Sequence, residues 1–192
     1  MQRVYAGCWN LVYNEKTVTS EKKFVGRIFD VRIESVELPE GKTGYREIVD
    51  HPGGVGIVAI TDENKILMVK QYRKAVEKEL FEIPAGKLEK GEDPLDCGKR
   101  ELEEETGFKA AEFVYLGYIY PSPGFANEKT HVYLARGLSK GMQNPDEDEY
   151  LDLAEFSIDE MYSAVMENEI NDAKTVVGFL KAMEYIKNNR QN

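Results

Sequence analysis

The chain has 192 residues, 42% hydrophobic and 31% charged, a balance that suits one globular domain with appendages better than two domains of ordinary size. Its formal net charge of −10, with no clustered run of Lys and Arg, argues against nucleic acid as a partner and leaves open an anionic small molecule bridged by a divalent cation. No apolar run approaches the ~20 residues of a membrane span, MQRVYAGCWN lacks a secretory leader, and Cys8 and Cys97 make no disulfide framework, so a reducing cytoplasm is the expected compartment.

In chain order, residues 24–49 read as strands: FVGRIFDVRIESVEL, a turn at PEGK (39–42), then YREIV. Val31 and Ile33 fall in one phase and Val36 and Leu38 in the other, which predicts a bulge or bend near Ser35. VGIVAI at 55–60 is apolar on both faces, as in a buried strand, and the DENK turn hands it to ILMVKQYR at 66–73. A helix is predicted over 94–106, capped by Asp93 with Pro94 at its first position and ended at Gly107; Leu95, Gly98 and Leu102 form its inner stripe. Strands follow at 113–120 and 130–136 around the loop PSPGFANEK, and a last strand is expected near 149–156. Ser157 with Glu160 makes a capping box, and Val176, Leu180 and Met183 mark a C-terminal helix. Strands around a central helix, with later helices, indicate an α+β layered fold.

The informative segment is GKLEKGEDPLDCGKRELEEETGF, residues 86–108. On a helix, Glu101, Glu104 and Glu105 stand at steps of three and four, so their carboxylates crowd one face. Like charges at that spacing repel by a few tenths of a kcal/mol per pair, and such a cluster of hard oxygens suits a divalent cation. ELEEE alone would pass for a solvated acidic face; the flanking Gly86, Glu92, Arg100 and Gly107 make it specific. With only His51 and His131 present and no Cys cluster, Mg²⁺ is the expected ion, with Mn²⁺ as a substitute.

The frame resembles the Nudix box, G-x5-E-x7-R-E-U-x-E-E-x-G-U with U an aliphatic or aromatic residue, and matches all nine fixed positions. The resemblance implies a Nudix α/β/α sandwich with a mixed sheet over 50–192, preceded by an N-terminal antiparallel β-region, 1–49, that pairs two copies into a homodimer. It further implies metal ligation by the Ala85 carbonyl, Glu101, Glu104 and Glu105, with Glu104, Glu105 and Arg100 counted in the catalytic set and Arg100 holding the box loop through Glu92. Glu147, in NPDEDEYLDL, falls in register with the family's general base and Glu149 with an additional ligand, although the box glutamates can also orient the water. Pro123 lies 16 residues past Gly107, a placement similar to ADP-ribose pyrophosphatases.

That likeness implies Mg²⁺-dependent cleavage of ADP-ribose or another ADP-sugar to AMP and a sugar phosphate. Substrate contacts are expected from Arg46, Glu47, Arg73, Pro123 and Glu128, with no nucleic acid or membrane partner. The competing expectations are a GDP-mannose or other nucleotide-sugar pyrophosphatase and, from a different class, a sensor that binds ADP-ribose without cutting it.

Overall fold

Two patterns of burial organise the chain, one for each of the units into which it divides after Asp50. The computed structural model describes residues 14–144 and 150–189. In the first unit, β1 (Lys16–Val25), β2 (Asp30–Glu37) and β3 (Thr43–Asp50) form an antiparallel sheet in the order β1-β2-β3. β1 begins well before Phe24, where the sequence reading starts its strands. Its KTVTSEKKFV has no buried face to generate alternation, since all of its residues are exposed. It is held instead by the ladder and by side chains across it: Thr17 Oγ1 donates to Glu34 Oε2 at 2.9 Å and Lys22 Nζ to Asp30 Oδ2 at 2.7 Å. The bulge expected near Ser35 sits across the ladder: β2 pairs regularly with β3, and the register shift lies in β1 between Thr17 and Thr19, opposite Val36 and Ser35.

The second unit contains β4 (Gly54–Ala59), β5 (Lys65–Arg73), β6 (Lys78–Glu82), β7 (Ala85–Lys87), α1 (Pro94–Thr106), β8 (Phe108–Ile119), β9 (Thr130–Lys140), β10 (Asp152–Ser157), α2 (Ile158–Met166) and α3 (Ala173–Asn189). Its larger sheet runs β7-β4-β9-β8 and is mixed, with β4 and β9 parallel and the outer pairs antiparallel. A second sheet, β10-β5-β6, is antiparallel and joins the first through the Ile60–Ile66 bridge.

β4 is apolar throughout because its two faces feed different cores. Val55, Ile57 and Ala59 pack with Cys97 and Leu102 of α1, and Tyr133 and Ala135 of β9 join them. Val58 and Ile60 pack with Phe179, Ala182 and Ile186 of α3, Met161 and Ala164 of α2, and Leu134. The result is a helix layer on either side of the mixed sheet, an α/β/α sandwich as the sequence leads one to expect. Gly178 permits the close seating of α3, since a Cβ there would come within 3.1–3.3 Å of Ile83, Val58 and Val132. Among the described residues no helix is long and apolar enough to cross a membrane.

Phe179 is fully buried at the centre of the α3 core. Phe179→Ala is expected to lower the unfolding free energy by ~3–5 kcal/mol, measured by urea denaturation; a loss below ~1 kcal/mol would contradict this packing.

Candidate active site

The helix that carries the acidic residues is fixed at both ends by its own sequence. Asp93 Oδ1 accepts the Leu95 N–H at 2.8 Å, Pro94 supplies the first helical φ, and Gly107 closes the last turn in the left-handed region at φ 71°, its N–H donating to Glu103 O at 2.8 Å. With its limits set, α1 holds Arg100, Glu101, Glu104 and Glu105 beside the strand β7 that begins at Ala85.

The carboxylates do not share one exposed face, as the spacing alone suggests. Glu105 is 2% exposed and its Oε2 accepts the Ala85 N–H at 2.9 Å, tying the helix to the β7 backbone. Glu101 lies against Gly86 so closely that a Cβ there would collide with its carboxylate. Gly86 is therefore a cradle that any other residue would fill.

Arg100 neutralises this crowd. Its Nε and Nη2 fork onto Glu92 at 3.0 and 3.1 Å, while Nη1 donates to Glu101 Oε1 at 2.8 Å and Glu104 Oε2 at 2.9 Å. The guanidinium, with help from the Glu89 N–H, holds the Glu92 carboxyl down to about 2 and has its own pKa raised in return. Burial, seconded by the negative charge of Glu101, pushes the Cys97 thiol up to about 12, so this buried cysteine is packing and not a nucleophile.

The donor set beside Ala85 and Gly86 is all oxygen, which fits a hard divalent cation in chemistry. Among the described residues no three acidic, His or Cys side chains converge as a ready-made metal group. Glu101 and Glu104 are instead engaged by Arg100, so an ion binding there competes with the guanidinium for those oxygens. Glu147 and Glu149 lie outside the described residues.

The expected substrate contacts lie on different elements. Arg73, at the end of β5, spends Nε and Nη2 on a fork to Glu82 at 2.8 and 2.7 Å. Pro123 and Glu128 lie in the β8–β9 loop, where Ser122 O accepts the Phe125 and Ala126 N–H groups and Glu128 Oε1 accepts from Thr130 Oγ1 at 3.3 Å. In the other unit, Arg46 on β3 is paired with Glu15 through both Nε and Nη2, and Glu47 sits opposite Ile33.

Sequence reasoning passed over a buried ionic group next to the box. Glu82 is 1% exposed and is shared by Arg73 and Lys174, and Lys174 Nζ also lies 3.1 Å from Asp172 Oδ2. Burial alone pushes the Glu82 carboxyl up, but the Arg73 fork and Lys174 outweigh it and hold it at about 2. The available signal was an acid between Phe81 and Ile83 in an otherwise apolar strand end; its partners, from β5 and α3, lie too far along the chain to be paired from spacing.

Comparison with known proteins places the chain in context. A family model described as NUDIX domain matches residues 50–177. The chain is 49% identical over 180 residues to a methanol dehydrogenase activator of Bacillus methanolicus, covering 92% of this chain and 97% of that protein. It is 47% identical over 175 residues to an ADP-ribose pyrophosphatase of Bacillus subtilis (strain 168), covering 90% and 92%. In architecture it is similar to a crystal structure of an ADP compounds hydrolase, with a TM-score of 0.83 at 22% identity over 93% of this chain and 97% of that one.

A carboxyl whose pKa falls on folding stabilises the fold above its ordinary pKa of 4.5 and loses that contribution as the pH drops toward about 2. Chemical denaturation at pH 5, 4 and 3 is thus expected to show stability falling in that window, with a shallower fall in Glu82→Gln. Equal slopes in the two proteins would assign the acid sensitivity elsewhere.

Proposed function

Since this chain belongs to the NUDIX domain family, we propose that it is a pyrophosphohydrolase that splits the diphosphate linkage of ADP-ribose, or a closely related ADP-sugar, to AMP and a sugar phosphate. The carrying observation is the seating of two box carboxylates on one short backbone segment, Glu105 on the Ala85 N–H and Glu101 on Gly86. The substrate class is supported by the 47% identity to an ADP-ribose pyrophosphatase across nine-tenths of both chains.

In this reading Glu101, Glu104, Glu105, the Ala85 carbonyl and Glu149 hold Mg²⁺, with Mn²⁺ able to replace it. The bound ion supplies charge neutralisation to the diphosphate and lowers the pKa of water. The chain's own part is to orient and to move one proton. Glu147 takes the proton of the attacking water, whose oxygen bonds to phosphorus as the phosphoanhydride P–O bond breaks, and the leaving phosphate oxygen carries away the electron pair. Arg100 holds the box loop and answers the carboxylate charge when no cation does. Arg73, Pro123 and Glu128 contribute to the substrate pocket, and Arg46 and Glu47 reach the nucleotide from a second copy.

The homodimer on which that last assignment depends is supported by the N-terminal unit itself. Its three-stranded sheet leaves Val18, Phe24, Val25, Ile28, Phe29 and Tyr45 exposed, with Val36 its only buried hydrophobic residue among those described. A sheet of this kind needs a packed face for stability, and a partner copy supplies one. The compartment we assign is the cytoplasm, from the free, buried Cys97 and the absence of any disulfide framework in the sequence.

The likeness to a methanol dehydrogenase activator favours a second reading, in which the same hydrolytic site serves a dehydrogenase partner. Adding the chain with Mg²⁺ to methanol dehydrogenase and following methanol oxidation tests it; acceleration that persists with Glu104→Gln would separate activation from hydrolysis.

The primary test is incubation with ADP-ribose and Mg²⁺ and separation of the nucleotides. AMP and ribose 5-phosphate are expected; no AMP from ADP-ribose beside rapid cleavage of GDP-mannose would move the substrate assignment. Tight ADP-ribose binding without turnover in either Mg²⁺ or Mn²⁺ would make the chain a sensor.

Glu104→Gln and Glu105→Gln are expected to reduce turnover on the order of 100-fold each. The Glu105→Gln side chain retains an oxygen that can accept the Ala85 N–H, so the stability of that variant should change by no more than ~1 kcal/mol. Gly86→Ala should displace the Glu101 carboxylate and lower turnover similarly. Unchanged turnover in all three variants would contradict the cation site.

A further inference from the structure

The four residues that lead into the box are each held by a different group. Glu82 is gripped by Arg73 and Lys174. The Ile83 N–H donates to Thr175 Oγ1 at 3.0 Å, Pro84 O accepts the Ile57 N–H at 2.8 Å, and the Ala85 N–H donates to Glu105 Oε2 at 2.9 Å. Two of these restraints originate on the first turn of α3, about ninety residues further along the chain.

The α3 restraints are themselves oriented. Asp172 caps the helix, its Oδ2 accepting both the Thr175 N–H at 3.0 Å and the Thr175 hydroxyl at 2.6 Å. With its proton committed to Asp172, the hydroxyl presents a lone pair to Ile83 N–H. Thr175 is 0% exposed, so water cannot replace it as acceptor, and Ile83 packs into the space left by Gly56 and Gly178. The Nζ of Lys174 bridges Asp172 and Glu82, coupling the same cap to the other end of the segment.

We propose that Thr175 and Lys174 are positioning residues for the cation site: from α3 they fix residues 82–85, and with them the Ala85–Gly86 backbone against which Glu101 and Glu105 are seated. Both residues act through the backbone and through Glu82. The proposal rests on the hydrolase reading above, in which that backbone contributes a ligand. It assigns to the C-terminal helix a role that its apolar sequence does not display, and it accounts for a buried charged group that the chemistry of the box leaves unused.

The test is Mn²⁺ titration of the free protein, followed by electron paramagnetic resonance of unbound Mn²⁺, beside thermal melts and steady-state AMP formation from ADP-ribose. Thr175→Val removes the acceptor while keeping the shape, Thr175→Ser retains the hydroxyl, and Lys174→Met removes the bridge to Glu82. Expected are Mn²⁺ dissociation constants weaker by on the order of 10- to 100-fold in Thr175→Val and Lys174→Met, a lower kcat with KM for ADP-ribose little changed, and recovery of both affinity and kcat in Thr175→Ser. A role confined to stability would lower the melting temperature and leave Mn²⁺ affinity of the folded protein intact; that result overturns the proposal while the hydrolase reading survives. Should Thr175→Val fail to fold, Lys174→Met decides by the same comparison. Wild-type protein that neither binds Mn²⁺ nor forms AMP overturns the hydrolase reading, and this proposal with it.

Discussion

Crowded negative charge on α1 is the constraint around which the catalytic unit is arranged. Glu101, Glu104 and Glu105 occupy adjacent turns of one helix, and a helix does not tolerate such a set without compensation. The chain supplies two kinds. Arg100, on the same helix, reaches Glu92, Glu101 and Glu104 at once, and the buried Glu105 is answered by a backbone N–H from β7. Both compensations fall on carboxylate oxygens, the hard atoms that a divalent cation would take in the proposed reading. Repulsion that would be a defect in an ordinary surface helix is here answered by Arg100 and by the Ala85 N–H.

The layers exist to hold that helix against that backbone. β4 is the common wall: alternate residues face α1 and α3, and the strand pairs with β7 through Val55 and Gly86, so any shift in one core is felt at the box. Glycines mark the closest approaches. Gly178 lets α3 seat on Ile83 and Val58, and Gly86 admits a carboxylate where a methyl group would collide with it. A second charged group, Glu82 with Arg73 and Lys174, is desolvated beside the same loop. Removing one partner of such a group leaves Glu82 as a buried charge with less compensation.

The two units differ in what their sequences must satisfy. The N-terminal sheet has little core of its own, and its exposed Phe24, Val25, Ile28 and Phe29 contrast with the fully enclosed apolar residues of β4 and β5. The α1 limits were legible to the residue, Pro94 to Thr106, because Asp93, Pro94 and Gly107 are local signals whose physics involves only their neighbours. The Ser157–Glu160 capping box was legible for the same reason. β1 escaped notice because a strand exposed on both faces has no period to detect, and the bulge expected in β2 was displaced to its neighbour because periodicity reveals a phase change without saying which strand absorbs it.

By itself the sequence determined the family, the central helix with its caps, the buried character of β4 and the identity of the acidic residues, since each is written in spacings shorter than a few turns. Only the tertiary structure decided that Glu105 points inward to Ala85, that Gly86 seats Glu101, that Arg73 forks onto Glu82 through Nε and Nη2, and that Lys174 and Thr175 grip the strand end before the box. The reason is that helical spacing specifies which residues share a face, whereas burial and hydrogen-bond partners depend on what the fold brings opposite that face. For this chain those partners come from β5, β7 and α3, at separations over which sequence carries no pairing information.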